Sequence, residues 1–314
     1  MKTKFSIFIL ILSMFFASCT QSGAIKFAVT YGAAHGDKCF SVAAVAVDAK
    51  DGTVLAAFVD EYQYFAASAD VIGVPNSDKR FGSGSVEDQV LVSKRTNDAF
   101  YSLRMSKKAG STIPIKKNYG AIEEYAFGKK PAALSGVDSV SGATLVDTKS
   151  YLALIVEAAQ QAFESDISYN SSDFSKLHIA SADFSNSDDR GFVFIANVME
   201  DKTVIASYID EFQYMDTGVA DIIGVPNSDR DFGKNYAEGK ILCSKRQNAA
   251  YYSKLMAEQA GSTISLDKNY AAIEGFAQSK AADALKNIDT VSGSTLVDTG
   301  DYLKAIAYAV ENSK

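Results

Sequence analysis

The chain reads as an α+β protein made of two tandem copies of one domain, each an antiparallel sheet with flanking helices. Two observations predict this. The first is an internal repeat: IGVPNSD at 72–78 returns at 223–229, SKR at 93–95 at 244–246, GSTI at 110–113 at 261–264, and KNY at 117–119 at 268–270. VSGATLVDT at 140–148 returns as VSGSTLVDT at 291–299, and DEYQY at 60–64 as DEFQY at 210–214. A period of about 150 residues is a domain duplication rather than a solenoid repeat, and 314 residues suit two domains. The second is the order of patterns within each copy, strands first and helices after, which argues for α+β.

The elements follow in order. Lys2 and Lys4 precede an apolar run from Phe5 to Phe16 that is too short to span a bilayer. It ends in Phe16-Ala17-Ser18-Cys19, which resembles a bacterial lipoprotein signal. Residues 1–18 are therefore expected to be a signal peptide and Cys19 the lipidated first residue of the mature chain. The first domain is assigned to 19–165, a polar linker to 166–174 and the second domain to 175–314. Residues 41–48 and 53–64 read as two strands joined by a turn at Asp51-Gly52, and 192–199 and 203–214 repeat them. A long loop over about 66–90 is unusual enough in a compact domain to suggest function. Helices are expected over about 93–108 and 119–128. The clearest helix carries Tyr151, Leu152, Ile155, Ala158, Ala159 and Ala162 at helical spacing.

Composition narrows the class. With 47% apolar and 22% charged residues the chain is neither disordered nor a multi-span membrane protein. The net charge is −7 with no basic run, which argues against nucleic-acid binding. His35 and His178 are the only histidines and there is no Trp, so a haem or multi-His metal site is not expected. Cys39 and Cys243 lie in different repeats and are expected to be buried apolar residues.

One segment carries chemistry. Asp138-Ser139-Val140-Ser141-Gly142-Ala143-Thr144 precedes the clearest helix, and Asp289-Thr290-Val291-Ser292-Gly293-Ser294-Thr295 repeats it. Gly142 permits a sharp turn and its small neighbours allow close approach to the main chain. Asp147 or Thr148 is a candidate helix cap, and the helix start offers amides and a positive dipole end to a phosphate. Asp138 could brace the turn, and Thr144 offers a hydroxyl. A polar turn before any helix would look similar.

DSVSGAT resembles the D-x-x-[ST]-G-A-[ST] flavinylation signature of extracytoplasmic FMN-binding domains. Together with DEYQ, VPNSD…FG, SKR, AGST and KNY…AIE, the pattern resembles two-domain surface lipoproteins, related to pheromone-precursor lipoproteins, of flavin-based extracellular electron transfer. The resemblance covers nearly all of the mature chain. It implies covalent FMN, two per chain, joined as phosphoesters to Thr144 and Thr295 by a flavin transferase that uses FAD. Asp138, Ser141, Gly142 and Ala143 would form the first site, and Asp289, Ser292, Gly293 and Ser294 the second, where Ser294 replaces the usual Ala. It further implies a lipid-anchored carrier on the extracytoplasmic face, between a membrane electron donor and an extracellular acceptor. Such a protein is an electron carrier more than an enzyme with its own substrate.

Weaker candidates are Lys94, Arg95, Lys245 and Arg246, as phosphate or flavin contacts or as a merely solvated face, and Tyr64 and Tyr214 as ring-packing or core residues. Asn76 and Asn227 read as turn residues. The rival function is a surface lipoprotein that binds flavin or another solute reversibly, with no redox role. If Cys19 carries the anchor, Cys19→Ala moves the protein from the detergent phase to the aqueous phase on partitioning; unchanged partitioning removes the lipoprotein reading.

Overall fold

The computed structural model describes residues 21–313. The expected signal peptide and Cys19 lie outside the described residues. In the first repeat the strands are β1 (Gly23–Gly32), β2 (Cys39–Asp48), β3 (Val54–Ala66) and β4 (Gln89–Ser93). Its helices are α1 (Asp98–Ala109), α2 (Ile115–Ala126), the single turn α3 (Pro131–Leu134) and α4 (Thr148–Glu164). After β5 (Tyr169–Ser171), the second repeat supplies β6 (Leu177–Ser185), β7 (Gly191–Glu200), β8 (Thr203–Asp216) and β9 (Lys240–Ser244). Its helices are α5 (Ala249–Ala260), α6 (Leu266–Ala277) and α7 (Thr299–Glu311). The protein is α+β, with two antiparallel sheets ordered β4-β3-β2-β1-β5 and β6-β7-β8-β9.

Two expected boundaries move. The first helix does not begin at Ser93, which ends β4; residues 94–97 form a turn closed by Asn97, whose Nδ2 donates to the carbonyls of Ile72 (2.8 Å) and Ser93 (2.9 Å). The segment expected to be a free linker is partly sheet, because Gly23, Ala24 and Ile25 of β1 pair with Ser171, Asn170 and Tyr169 of β5. It closes the outer edge of the first sheet, which would otherwise present unpaired backbone groups.

Every residue of β2 is buried, although an exposed antiparallel sheet would alternate. The reason is that both faces of the sheet are covered. Ala43, Val45 and Val47 face Tyr119 and Ile122 of α2 and Leu152 and Ile155 of α4. Phe40, Val42 and Ala44, on the opposite face, meet Phe192, Phe194 and Phe212 of the second repeat. Phe40 stacks on Tyr62 at 4.8 Å and reaches Phe212 at 5.4 Å between ring centroids. The layers therefore run helix, sheet, sheet, helix.

The long loops lock this sandwich reciprocally. Asn76, at φ +64°, donates from Nδ2 to the carbonyl of Gly191 (2.8 Å) in the β6–β7 connection. Asn227, at φ +65°, donates to the carbonyls of Gly36 and Cys39 (both 2.7 Å) in the β1–β2 connection. The Phe81 amide bonds the Asp189 carbonyl, and the Phe232 amide that of Asp37, each at 2.8 Å. Where the two loops meet, the Tyr64 and Tyr214 hydroxyls hydrogen-bond each other. Both tyrosines belong to this shared core. Gly82 and Gly233 permit the fold of each loop, since a Cβ there would lie 2.0 and 1.8 Å from the carbonyl oxygens of Ser77 and Ser228. Each repeat completes the other's core. Burying one large apolar side chain is worth about 1.5–3 kcal/mol, so separation would forfeit many such terms. Residues 19–165 and 175–314 expressed separately are expected to aggregate or self-associate, and co-expressed halves to recover a 1:1 complex. Monomeric halves that each unfold cooperatively would contradict a shared core.

Candidate functional site around Thr144 and Thr295

The site is built from a clamp upward. Glu61, at the centre of β3, is buried and forms an ion pair with Lys94, which is also buried. Burial alone would favour neutral Glu61, yet the Lys94 charge overrides it and holds the carboxyl below its usual range. Tyr151 of α4 donates to Glu61 Oε2 at 2.6 Å, and the Tyr119 hydroxyl of α2 lies 3.3 Å from that of Tyr151. One buried carboxylate thus ties α4 and α2 to the sheet. Glu211, Lys245, Tyr302 and Tyr270 repeat the arrangement, with Lys245 at 2.7 Å and Tyr302 at 2.7 Å from Glu211.

Tyr119 fixes the residue before it. Asn118 is buried at the start of α2, and its Nδ2 donates to the carbonyls of Ile113 (2.9 Å) and Pro114 (3.0 Å). With both amide hydrogens engaged, Oδ1 points to the Thr144 turn. It accepts the Thr144 N–H at 2.6 Å and lies 3.3 Å from Thr144 Oγ1. Ser111 Oγ, from the α1–α2 connection, lies 3.2 Å from the same hydroxyl. The second repeat matches: Asn269 Oδ1 accepts the Thr295 N–H at 2.6 Å, and Ser262 Oγ lies 3.0 Å from Thr295 Oγ1. Both threonines are exposed.

The turn before each threonine has the expected shape. Gly142 and Gly293 have φ of +89° and +90°. The Ala143 amide bonds the Val140 carbonyl, and the Ser294 amide that of Val291. Ser141 and Ser292 are exposed, while Ala143 and Ser294 are partly buried. The second copy differs chemically at Ser294, whose Oγ lies 3.1 Å from Asn269 Oδ1 and 3.0 Å from Thr299 Oγ1. It therefore competes with Thr295 for the same carbonyl oxygen.

Several expectations require correction. Asp138 and Asp289 are exposed, and neither hydrogen-bonds a threonine of the turn among the described residues. Asp147 stands at the α4 N-cap position without capping it; its Oδ2 instead meets His35 Nδ1 at 2.5 Å. The helix start is less open to an anion than expected, because the Thr148 amide bonds the Leu145 carbonyl and the Ser150 and Tyr151 amides bond that of Asp147. Lys94 and Arg95 are not phosphate contacts: Lys94 is buried on Glu61, and the Arg95 guanidinium pairs with Glu123. Lys245 and Arg246 pair likewise with Glu211 and Glu274. Cys39 and Cys243 are buried free thiols, as expected.

Ser111 and Asn118 were not assigned a role from sequence. The signal was present, because AGST and KNY recur with the threonine turn at the same spacing in both copies. What this arrangement can do follows from its donors. Asn118 and Ser111 orient the hydroxyl, and no carboxylate or imidazole hydrogen-bonds it among the described residues. Neither a protein-family model, nor a curated protein, nor a solved structure matches the chain.

Gly142→Ala tests the turn. Its Cβ would lie 3.1 Å from that of Ala121, at a φ that L residues rarely adopt. The expected loss is about 1–3 kcal/mol by urea denaturation, and an unchanged midpoint would show that the turn tolerates a side chain.

Proposed function

We propose that this protein is a lipid-anchored electron-transfer flavoprotein of the extracytoplasmic membrane face, carrying one covalent FMN on Thr144 and one on Thr295. The observation that supports it is the meeting of three separately repeated motifs at one exposed hydroxyl in each repeat: Ser111, Asn118 and Thr144, and Ser262, Asn269 and Thr295. The residues suit attachment from outside. The hydroxyl is reachable and oriented, and a flavin transferase would bring the base.

In that reaction Thr144 Oγ1 forms a bond to phosphorus and gives its proton to the transferase. The pyrophosphate bond of an FAD donor would break with AMP as the leaving group, so that Thr144 would hold FMN through a phosphodiester. Asn118 holds the Thr144 backbone and hydroxyl, Gly142 turns the chain, and Ser141 and Ala143 keep its approach narrow. Attached FMN supplies one- and two-electron transfer, while the protein supplies position and surroundings. The implied partners are a flavin transferase, a membrane electron donor and an extracellular acceptor.

The rival reading, reversible flavin or solute binding at the same turn, separates cleanly on a denaturing gel. Covalent FMN stays fluorescent with the polypeptide band. On co-expression with a flavin transferase, the wild type is expected to gain two FMN increments by intact mass. Thr144→Ala and Thr295→Ala should each lose one, and the double variant both, while the fold survives. Covalent FMN on the double variant would place attachment elsewhere. Wild type without FMN, alongside a transferase active on another substrate, would remove the electron-carrier reading.

A further inference from the structure

The two repeats meet with near two-fold symmetry, and one joint between them departs from it. Tyr31 on β1 and Asp183 on β6 occupy equivalent register positions: Tyr31 pairs with Val42, which faces Asp60, and Asp183 pairs with Phe194, which faces Asp210. On one side the Tyr31 hydroxyl fills the joint and donates to Asp210 Oδ2 at 2.8 Å. On the other side stands Asp183, a carboxylate that turns toward the first repeat and accepts from the Tyr62 hydroxyl at 2.7 Å. There the hydroxyl comes from Tyr62, which stands where the second repeat has Phe212, and the Asp60 carboxylate acts on Asp183 as a second negative charge.

Asp60 is satisfied by its own repeat, accepting from Ser93 Oγ at 2.5 Å and from the amides of Glu61 (2.7 Å) and Arg95 (3.1 Å). Asp183 has only Tyr62. A cleft between the repeats lies at this joint, in two adjoining lobes of about 420 and 460 Å³ that both reach Asp183 and Lys116. The Lys116 ammonium pairs with no carboxylate among the described residues. Apolar walls come from Ile72, Val74 and Pro75 in one lobe and from Phe58 and Ile179 in the other.

We infer that this cleft binds a small apolar zwitterion of the free amino-acid class, its ammonium on Asp183 and its carboxylate on Lys116. A lobe of this size lies within the range of small-molecule sites, and an unpaired charge of each sign along its wall matches a ligand with both charges. The inference is independent of the flavin sites.

The charges around Asp183 define how binding responds to pH. They are Asp60 from β3, Arg95 from the turn after β4, and Lys116 and Glu123 from α2. Arg95 is engaged by Glu123 and by the Val59 carbonyl. Burial, opposed by the Tyr62 hydrogen bond and assisted by Asp60, raises the Asp183 carboxyl to about 7. Below that pH the group is neutral and offers an ammonium little. On binding, Asp183 releases its proton to solvent and the ligand ammonium takes its place. Affinity should rise about tenfold between pH 6 and pH 8 if that one proton is linked.

The test is calorimetric titration of the purified full chain with L-leucine, N-acetyl-leucine and leucinamide. L-leucine is expected to bind at pH 8 and about tenfold more weakly at pH 6. N-acetylation should abolish binding, and amidation should weaken it. Asp183→Asn keeps an acceptor for Tyr62; it should weaken L-leucine at least tenfold and remove the pH dependence. Lys116→Met, at an exposed position where no loss of fold is expected, should weaken L-leucine but leave leucinamide unchanged. No binding of L-leucine, equal binding of N-acetyl-leucine, or an unaltered affinity in Asp183→Asn would each overturn the inference.

Discussion

The constraint on which the structure depends is that each repeat makes a sheet with two apolar faces but only one layer of helices. One face of β2 is covered by α2 and α4, and the other presents Phe40, Val42 and Ala44. Within this chain, the cover available to that second face is the same face of the other copy. The duplication therefore supplies the cover that each sheet's second face needs. Stacked sheets lie roughly 10 Å apart, and the helix layers stand outside them, so the two threonine turns belong to opposite outer layers.

A second consequence concerns polar groups. With both faces covered, the Asp-Glu pair at the centre of β3 and of β8 is shut away from water. A buried charge needs a partner and hydrogen bonds to persist. Lys94 answers Glu61, while Arg95 answers Glu123 and, through its amide, Asp60. Breaking such a pair by removing one partner typically costs about 3–5 kcal/mol. This explains why SKR recurs so faithfully between the copies, and it does so without a ligand. The same network positions the site indirectly, through Tyr151 and Tyr119 to Asn118.

How much of this was legible from sequence depends on where each signal came from. The duplication, the strands β2 and β3 and the helix α4 were legible because repetition and 3.6-residue spacing are properties of the string. The turn at Gly142 was legible because a small set of residues permits it. The sheet-on-sheet face was not, since β2 reads simply as a continuous apolar run, and such a run does not say what covers its second face. Lys94 and Arg95 were misread because charge suggests solvent or ligand until the opposing carboxylates are brought near by strand pairing. Ser111 and Asn118 were visible only as members of repeated motifs. Their convergence on Thr144 depends on how the α1–α2 connection and the threonine turn meet in space.

The differences between the copies carry information that the similarities do not. A structural feature and a functional one are duplicated alike, so recurrence alone does not separate them. Divergence at an equivalent position does, when its physical cost is visible. Ser294 adds a hydroxyl that shares Asn269 Oδ1 with Thr295, while the Thr295 contacts to Asn269 keep the distances of the first copy. Asp183 is more costly. Where its counterpart Tyr31 closes the joint with an aromatic ring and a hydrogen bond, Asp183 opens a cleft and places a carboxylate opposite Asp60. A carboxyl raised by burial and by Asp60 costs the folded joint stability where it is ionised, and the Tyr62 hydrogen bond offsets only part of that. A ligand ammonium between the repeats would reverse that sign, turning the least favourable residue of the interface into one that holds it together.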